Sequence, residues 1–535
     1  MDQKKIWAAA LFCSLQLAGG TIYAQEPPAA AATQTQIRAA FPDPAEPGEE
    51  YALNRRLFKG YQGRGTLLLE NHGVRHAAVY INGRRLPLED PLPEGKIQLF
   101  IGGYCQDGDN TLKVLQLQPA TGQLTASIPY PELTRGTPAQ AGMSADKLNK
   151  IDRIMESEIK RGFPGAVLLV VKNGRIVKES AYGWAKLYEK DQLLPESRRQ
   201  PMTTAAMFDL ASNTKMYAVI LSYMKLMDEG RVSPEDYVVK YLPEYRGDGR
   251  EQVRIRDVMT HSAGYASQVP FHRPAAGRFY SLQREKTIAL LPQVPFSYPL
   301  GTKTLYSDTD YMLLTAILER ITGERLDSYA EKHIYAPLGL AHTLFNPLKK
   351  GFQPKDCAAT EPCGNTRSGM ISFPGVRTYT LQGEVHDELA WYSMGGVSGH
   401  AGLFSQAREL AVLAQLLLNR GGYGSYRLCR PGIFDYFTKP TDRNARFGLG
   451  WNKMIFPERI WEFGPYASPE AIAHSGWTGV DICIDPHYDM AILLLTNRVH
   501  APNVPGKPNT FITDDFVAGS YGSIMSLVYE AALEK

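Results

Sequence analysis

The chain lacks several features that would place it in a specialised class. After residue 24 it has no apolar run of the roughly 18 residues that a membrane-spanning helix needs. It has little excess charge of either sign, because 58 Lys and Arg stand against 55 Asp and Glu, for a formal net charge of +3. These absences argue against a multi-span membrane protein and against a nucleic-acid-binding protein. With 44 % apolar and 21 % charged residues, the composition is that of an ordinary globular protein.

Cysteine is also scarce, at six residues in 535, and no Cys/His cluster has the spacing of a zinc site. Cys13 lies in the N-terminal apolar segment, which leaves five cysteines for the rest of the chain. Cys357 and Cys363 are close enough in sequence to form a small disulfide loop in an oxidising compartment, and reduced buried thiols are the alternative. The sequence predicts no metal and no other cofactor, and it leaves the cysteine pairing open.

The N-terminus has the pattern of an export signal. Lys4 and Lys5 precede the apolar stretch Ile6 to Ala18, and small residues follow as far as Ala24. A charged start, an apolar centre and a small-residue cleavage site are typical of secretory signals. We therefore predict a signal peptide over residues 1–24 and a periplasmic protein. The alternative is an uncleaved segment that anchors the chain in the inner membrane.

Composition divides the rest of the chain into three parts. Residues 25–48 contain seven Ala and five Pro, which predicts a disordered linker. Short β-rich runs separated by turn residues over 49–131 predict a small antiparallel β-sandwich. Its segments Val79–Gly83 and Asp109–Val114 resemble the jelly-roll accessory domains of carbohydrate-active enzymes, which implies either a glycan contact or a structural spacer. The remainder, 135–535, is predicted to form one α+β unit.

The α+β prediction depends on elements at both ends of this unit. Ser144 opens a helical pattern whose apolar residues return to one face. Apolar strands flank Asn173-Gly174, a two-residue hairpin signal. The very apolar run Met490 to Leu495 adds a strand near the C-terminus. We expect one antiparallel sheet to join both ends of the unit, with helices between them.

A Ser-x-x-Lys spacing occurs four times, and one copy has the surroundings that catalysis needs. Ser212 and Lys215 begin a long apolar helix, so that the hydroxyl and the amine share one helical face and the amine can help to remove the serine proton. The positive end of the helix would also favour an anionic tetrahedral intermediate. We predict that Ser212 is the nucleophile and Lys215 its activator.

Tyr306-Ser307-Asp308 precedes a second apolar helix. A phenol close to an ammonium group can have a lowered pKa and exchange protons near neutral pH. We therefore predict that Tyr306 is an acid/base group with a lowered pKa. The alternative is a tyrosine at a helix start with Asp308 as the N-cap.

A third motif, His474-Ser475-Gly476, lies in a predicted edge hairpin. Gly476 would let a substrate backbone approach, and the N–H of Trp477 would complete an oxyanion hole with that of Ser212. We predict that His474, Ser475, Gly476 and Trp477 bind substrate, together with Asp308 of the second motif.

In their order and spacing, these three motifs resemble the signatures of the serine β-lactamase and penicillin-binding-protein superfamily, of the S12 serine peptidase type. The chain looks most like the type 4B penicillin-binding proteins. Further similar segments are Ile255–Gly264, Gly383–Glu388, Trp391–Met394, Gly395–Phe404 and Leu495–Arg498. The resemblance implies a β-lactamase-like fold, in which an antiparallel sheet flanked by helices carries an inserted helical lobe. It also implies D-alanyl-D-alanine carboxypeptidase activity through an acyl-enzyme, with peptidoglycan peptides as substrates and β-lactams as inhibitors.

The chain departs from the family pattern at two positions. Asp308 stands where many relatives carry asparagine, and His474 where many carry a lysine that supports the substrate's carboxylate. Histidine is largely neutral at pH 7 and aspartate would repel a carboxylate, so Arg498 is the candidate for the missing cation. His386 and His400 lie in glycine-rich segments and are expected to fix loops.

These departures leave other functions open. Within the superfamily, the alternatives are an esterase, a muropeptide amidase or a weak β-lactamase. From another class, the chain would be a non-catalytic cell-wall-binding protein. The intact Ser212, Lys215 and Tyr306 favour an enzyme.

Overall fold

The computed structural model describes residues 33–39, 55–119, 121–441 and 445–533. The predicted signal peptide and most of the predicted linker lie outside these ranges. Within them, none of the helices combines the length and the apolar character needed to cross a bilayer. All five cysteines of this part of the chain are free thiols, so the Cys357–Cys363 disulfide is not formed.

Two four-stranded antiparallel sheets near the N-terminus form the predicted β-sandwich. Their orders are β1-β8-β3-β6 and β2-β7-β4-β5. The strands are β1 (Thr35–Ala39), β2 (Arg55–Gly60), β3 (Thr66–His72), β4 (His76–Ile81), β5 (Arg84–Arg85), β6 (Gly95–Phe100), β7 (Gly108–Gln118) and β8 (Gln123–Ile128). Leu67 and Leu69 from one sheet share a core with Val79 and Val114 from the other. Each sheet therefore buries one face, as antiparallel sheets commonly do.

The prediction of a disordered linker over 25–48 is wrong for the residues of β1. This strand pairs with β8 from Thr35↔Ile128 to Ala39↔Leu124, and Ile37 is 2 % exposed in the sandwich core. The composition around the strand, rich in Ala and Pro, is typical of a linker. The strand forms because it pairs with β8, which lies far along the chain.

The C-terminal unit is built on an eight-stranded sheet of order β14-β11-β10-β23-β22-β21-β20, with β9 beside β11. The strands of this unit, including the shorter ones outside the sheet, are β9 (Thr134–Arg135), β10 (Gly165–Lys172), β11 (Arg175–Lys186), β12 (Tyr188–Glu189), β13 (Gln192–Leu193), β14 (Gln200–Pro201), β15 (Phe208–Asp209), β16 (Leu344–Phe345), β17 (Leu403–Ser405), β18 (Gly422–Tyr423), β19 (Tyr426–Arg427), β20 (Asn452–Lys453), β21 (Ile472–Gly476), β22 (Val480–Asp485), β23 (Met490–Thr496), β24 (Asn503–Val504) and β25 (Lys507–Phe511). β10 pairs antiparallel with β11 and with β23. The predicted sheet that joins both ends of the unit is therefore confirmed.

Helices cover both faces of this sheet. The helices of the unit are α1 (Ala145–Lys160), α2 (Leu221–Asp228), α3 (Ile255–Met259), α4 (Arg284–Leu290), α5 (Asp308–Thr322), α6 (Leu326–Ala330), α7 (Ala407–Leu418), α8 (Pro431–Thr438), α9 (Ile460–Phe463) and α10 (Tyr521–Leu533). Side chains of β10 alternate between two cores, because Leu168 packs with α1 and α10 whereas Leu169 packs with α2 and α7. The α+β architecture is as predicted, and α2 to α6 supply the helical lobe.

Candidate active site

The three predicted catalytic residues meet at one oxygen atom. Ser212 lies in a short 3-10 turn, Ala211–Asn213, and Lys215 opens a π-helical segment, Lys215–Ile220, that continues as α2. The Ser212 Oγ accepts a hydrogen bond from Lys215 Nζ at 3.0 Å. It accepts another from the Tyr306 hydroxyl at 2.7 Å. A nucleophile in contact with two proton-exchanging groups is the arrangement that covalent catalysis by serine requires.

Lys215 is completely buried and has three hydrogen-bond acceptors. Besides the Ser212 Oγ, its Nζ donates to Asp308 Oδ1 at 2.9 Å and to the backbone oxygen of His400 at 3.1 Å. Burial alone would lower the pKa of Lys215, but Asp308 and Tyr306 outweigh it and the pKa is raised. The three N–H groups of an ammonium match these three acceptors. Lys215 is therefore protonated at rest.

The pKa of Tyr306 is raised, so the prediction of a lowered pKa is wrong. Loss of water around the phenol oxygen is the largest cause, although the Tyr306 residue as a whole is 39 % exposed. The charge of Asp308 adds to this effect, and attraction to Lys215 only partly offsets the two. The prediction took account of the ammonium group of Lys215 but not of the carboxylate of Asp308 beside it. At rest the Lys215–Tyr306 pair thus keeps both of its protons, and it must release one before either member can accept the proton of Ser212.

Asp209, which sequence reasoning missed, fixes the turn that carries the nucleophile. Its Oδ1 accepts from the Ala211 N–H at 2.8 Å and its Oδ2 from the His386 N–H at 2.6 Å. Ala211 has a φ of 44°, a left-handed conformation that is uncommon for residues other than glycine. Local strain of this kind persists where surrounding contacts over-determine the backbone, as they do here.

The end of β21 packs directly against this turn. A Cβ on Gly476 would lie 2.5 Å from the backbone oxygen of Leu210. Thr478 Oγ1 donates to the backbone oxygen of Asp209 at 2.7 Å. Glycine is therefore needed at 476 for the approach of the protein's own chain, in addition to the predicted approach of substrate. Trp477, between these contacts, is 40 % exposed, and its N–H makes no turn or loop hydrogen bond within the described ranges. Its part in an oxyanion hole stays a prediction.

His474 is neutral and close to Tyr306. Its Nδ1 donates to the backbone oxygen of Ser475 at 2.8 Å, which leaves Nε2 with a lone pair. Its ring centroid is 6.1 Å from that of Tyr306. Burial lowers the pKa of His474 to about 3, and the charge of Lys215 adds to the effect. His474 therefore offers a hydrogen-bond acceptor where many relatives have a cationic donor.

Arg498 forms an ion pair within the protein. Its Nη1 lies 2.9 Å from Asp514 Oδ1, and no hydrogen bond or ion pair of the described chain joins it to Ser212, Lys215 or Tyr306. These contacts give no support to the prediction that Arg498 supplies a cation for a substrate carboxylate.

Two carboxylates and an imidazole lie beside the nucleophile. Carboxylate oxygens of Asp308 and Asp387 and a ring nitrogen of His400 lie within 4.8 Å of one another. Among the described residues, this is the one cluster of three or more side chains that could hold a metal ion. Their atoms are already engaged, since Asp308 holds Lys215, and the His400 ring lies 2.9 Å from Asp387 Oδ1 and 2.7 Å from Ser398 Oγ. Burial opposes the charge of Asp387, but attraction to His400 holds its pKa below the ordinary value. The group acts as a network that orients Lys215.

Sequence reasoning missed two further residues near the site. Gln268 Nε2 donates to the free oxygen of Asp308 at 3.3 Å. His261 accepts the N–H of Ser307 at 3.1 Å through Nδ1. His261 falls in a segment that carries the family resemblance, a signal that marks it for attention, whereas nothing in the sequence distinguishes Gln268.

Relatives with curated descriptions cover most of the chain. An "N-acetylmuramyl-L-alanine amidase" of Bacillus subtilis (strain 168) is 47 % identical over 430 residues, which is 79 % of this chain and 97 % of that protein. A "Putative D-alanyl-D-alanine carboxypeptidase" of Salmonella paratyphi B is 44 % identical over 412 residues, which is 75 % of this chain and 95 % of that protein.

Solved structures with little sequence identity share the fold. A penicillin-binding protein homologue from Caulobacter crescentus superposes with a TM-score of 0.52 at 19 % identity, covering 73 % of this chain and 99 % of that one. EstCE1, a hydrolase with promiscuous acyltransferase activity, gives 0.52 at 21 % identity with the same coverage. The family model described as Beta-lactamase matches residues 149–514, which include Ser212, Lys215 and Tyr306. The chain therefore belongs to the beta-lactamase family, within the serine β-lactamase and penicillin-binding-protein superfamily of hydrolases.

Proposed function

We propose that the protein is a serine amidase that cleaves the amide bond between the lactyl group of N-acetylmuramic acid and L-alanine in peptidoglycan fragments. The muropeptide amidase was one alternative left open by the sequence. The similarity to the Bacillus subtilis amidase supports it, because the aligned region includes nearly all of that protein.

The observation that carries the proposal is the charge around Ser212. A carboxypeptidase must hold the free carboxylate of its substrate's last residue. Here His474 is neutral, Arg498 is paired with Asp514, and Asp308 balances the charge of Lys215 beside Ser212. An amide inside a muropeptide has no carboxylate next to the scissile bond, so this environment suits it better.

The geometry supports a two-step reaction. In the first step the Ser212 Oγ attacks the lactyl carbonyl carbon, and its proton passes to the Lys215–Tyr306 pair after that pair has released one proton. The C–N bond then breaks, and Tyr306 gives a proton to the departing nitrogen of L-alanine. The products of this step are an ester on Ser212 and a free peptide amine.

In the second step the same pair takes a proton from water, which attacks the ester carbonyl. The C–O bond to Ser212 breaks and the serine recovers its proton. The new product is the lactyl carboxylate of N-acetylmuramic acid.

D-alanyl-D-alanine carboxypeptidase activity is the second candidate. The Salmonella relatives carry that description at 44 % identity. The catalytic groups would be the same, and the leaving group would be D-alanine instead of an L-alanyl peptide. β-Lactams are expected to acylate Ser212 if this candidate is correct.

Product analysis separates the two candidates. We would incubate the full chain with muramyl dipeptide and, separately, with a peptide that ends in D-Ala-D-Ala, and identify products by mass spectrometry. The amidase releases N-acetylmuramic acid from the first and leaves the second intact. Release of D-alanine, with muramyl dipeptide intact, would refute the proposal and favour the carboxypeptidase. Ser212→Ala should abolish turnover, whereas Ser157→Ala, at another Ser-x-x-Lys on an exposed helix face, should not.

We also propose that the protein is exported to the periplasm and that the sandwich contacts glycan. The N-terminal signal pattern supports the first statement. Binding of the full chain to purified sacculi, compared with a variant that lacks the sandwich, tests the second. Equal retention of the two would argue for a spacer.

A further inference from the structure

His261 is buried beside Tyr306 in a strained backbone conformation. It is 1 % exposed and has a φ of 56°, which is uncommon for residues other than glycine. It follows α3, where the chain turns toward the segment that carries Tyr306. Strain held in this way at a reaction centre is a reason to look for a function.

The contacts of His261 bracket Tyr306 on both sides. Its backbone oxygen accepts the N–H of Leu305 at 3.0 Å. Its ring Nδ1 accepts the N–H of Ser307 at 3.1 Å. Between these two contacts, its ring packs on that of Tyr306 with centroids 4.6 Å apart. One residue therefore contacts three consecutive residues, with the proton-exchanging tyrosine at the centre.

The hydrogen bond from Ser307 fixes the state of the imidazole. A backbone N–H can only donate, so Nδ1 must keep its lone pair. Asp310 Oδ2 lies 3.1 Å from the same nitrogen, and a proton on this carboxyl avoids repulsion between the oxygen and the Nδ1 lone pair. Burial raises the pKa of Asp310 well above its ordinary value and lowers that of His261. Burial thus disfavours the charged form of both groups.

We infer that His261 is a positioning residue that holds the Tyr306 hydroxyl on the Ser212 Oγ. The left-handed backbone points its carbonyl at Leu305 and its ring at Ser307, so both ends of the tripeptide are fixed. A hydrogen bond of 2.7 Å between the phenol and the Ser212 Oγ tolerates little movement of either residue. Proton transfer by a positioned group depends on this geometry.

Two variants separate the ring from the backbone strain. His261→Gly accepts the positive φ and removes every side-chain contact. His261→Asn also tolerates the left-handed conformation, and its amide oxygen is an acceptor for Ser307. Lys190→Gly is the control, because Lys190 has a φ of 47° on an exposed hairpin turn outside the site.

The readout is hydrolysis of p-nitrophenyl acetate, a small ester that reports acylation of Ser212 whatever its natural amide is. We expect His261→Gly to lower kcat at least tenfold with KM changed less than about twofold, since positioning acts on proton transfer and not on binding. His261→Asn should recover part of the loss. Lys190→Gly should match the wild type.

A double-mutant cycle with Tyr306→Phe tests whether His261 acts through the tyrosine. If it does, His261→Gly has no further effect in the Tyr306→Phe background. Additive losses, an unchanged kcat in His261→Gly, or a loss that Asn does not reduce would overturn the inference. The inference requires only that Tyr306 acts on Ser212. Its failure therefore leaves the amidase proposal standing, and failure of the amidase proposal leaves this test intact.

Discussion

The charge of one side chain, Asp308, controls the protonation of the two groups that contact Ser212. Asp308 is bonded to Lys215 at 2.9 Å, and its charge raises the pKa of both Lys215 and Tyr306. The pair therefore stays doubly protonated at neutral pH, which is the inactive form. Activity should rise with pH as the first of these protons is lost.

Asp308→Asn should move the acid limb of the kcat/KM profile to lower pH. The substitution keeps the size of the side chain and removes its charge, so the pKa of Lys215 falls and the pair loses its first proton at lower pH. The check is the pH dependence of kcat/KM for p-nitrophenyl acetate. Asp435→Asn, at a surface aspartate paired with Arg420, is the matched control and should leave the profile unchanged. If the acid limb of the kcat/KM profile stays at the same pH in Asp308→Asn, Asp308 does not control the protonation of Lys215 and Tyr306.

The contact between the three predicted catalytic residues could be expected from sequence, but their environment could not. Ser212 and Lys215 share a local spacing, and Tyr306 was found through its order relative to them. The direction of the Tyr306 pKa depends on burial and on Asp308, which only the folded chain brings to bear. Asp209 and His261 contact segments that lie far along the chain, so no local sequence pattern predicts that they belong to the site.

The β21–β22 hairpin packs tightly against the turn that carries Ser212. Gly476→Ala would put a methyl group 2.5 Å from the Leu210 backbone oxygen, so either β21 or the nucleophile turn must shift. We expect a loss of ~1–3 kcal/mol in the free energy of unfolding and a fall in kcat of tenfold or more. Thermal unfolding and steady-state kinetics measure the two effects.

Gly432→Ala is the control for that variant. Gly432 lies in the first turn of α8, and a Cβ there meets no atom within 4 Å. Its activity should equal that of the wild type, and its stability should be equal or higher, because alanine is the better helix former. A fully active Gly476→Ala protein would show that the turn can move without harm to the reaction.

Secondary-structure elements marked by a short sequence pattern, such as a hairpin turn or a helix N-cap, were predicted, and those that depend on a distant partner were not. Asn173-Gly174 adopts the two positive φ angles of a tight hairpin between β10 and β11, as its sequence indicates. α1 begins after Ser144, whose Oγ accepts the Lys147 N–H as an N-cap. In contrast, β1 is a five-residue strand whose pairing depends on the distant β8, and its Ala-rich flanks favour a linker.

Arg64 makes several of the contacts between the two folded units, beside the Lys59–Asp489 ion pair and the hydrogen bond from Gln415 to the Tyr61 hydroxyl. Arg64 of the sandwich donates to the backbone oxygens of Asn173 and Gly174, at the β10–β11 turn, with distances of 2.7 and 2.9 Å. It also donates to Thr134 Oγ1 at 2.8 Å, and it lies over the ring of Tyr61 at 4.3 Å. The sandwich is thus fixed to the tip of the catalytic sheet through contacts that do not include Ser212, Lys215 or Tyr306.

Arg64→Ala should loosen the sandwich without changing catalysis. It removes three hydrogen bonds and the contact with Tyr61, so we expect the docked state to lose about 2 kcal/mol. Calorimetry should then show the sandwich unfolding at a lower temperature, apart from the catalytic unit, while kcat for p-nitrophenyl acetate is unchanged. Arg84→Ala is the matched control, because Arg84 contacts Gly103 and Tyr104 inside the sandwich, so docking is retained and the sandwich should still unfold together with the catalytic unit. A fall in kcat for Arg64→Ala, with unfolding unchanged, would instead mean that the tip of the sheet is coupled to the nucleophile.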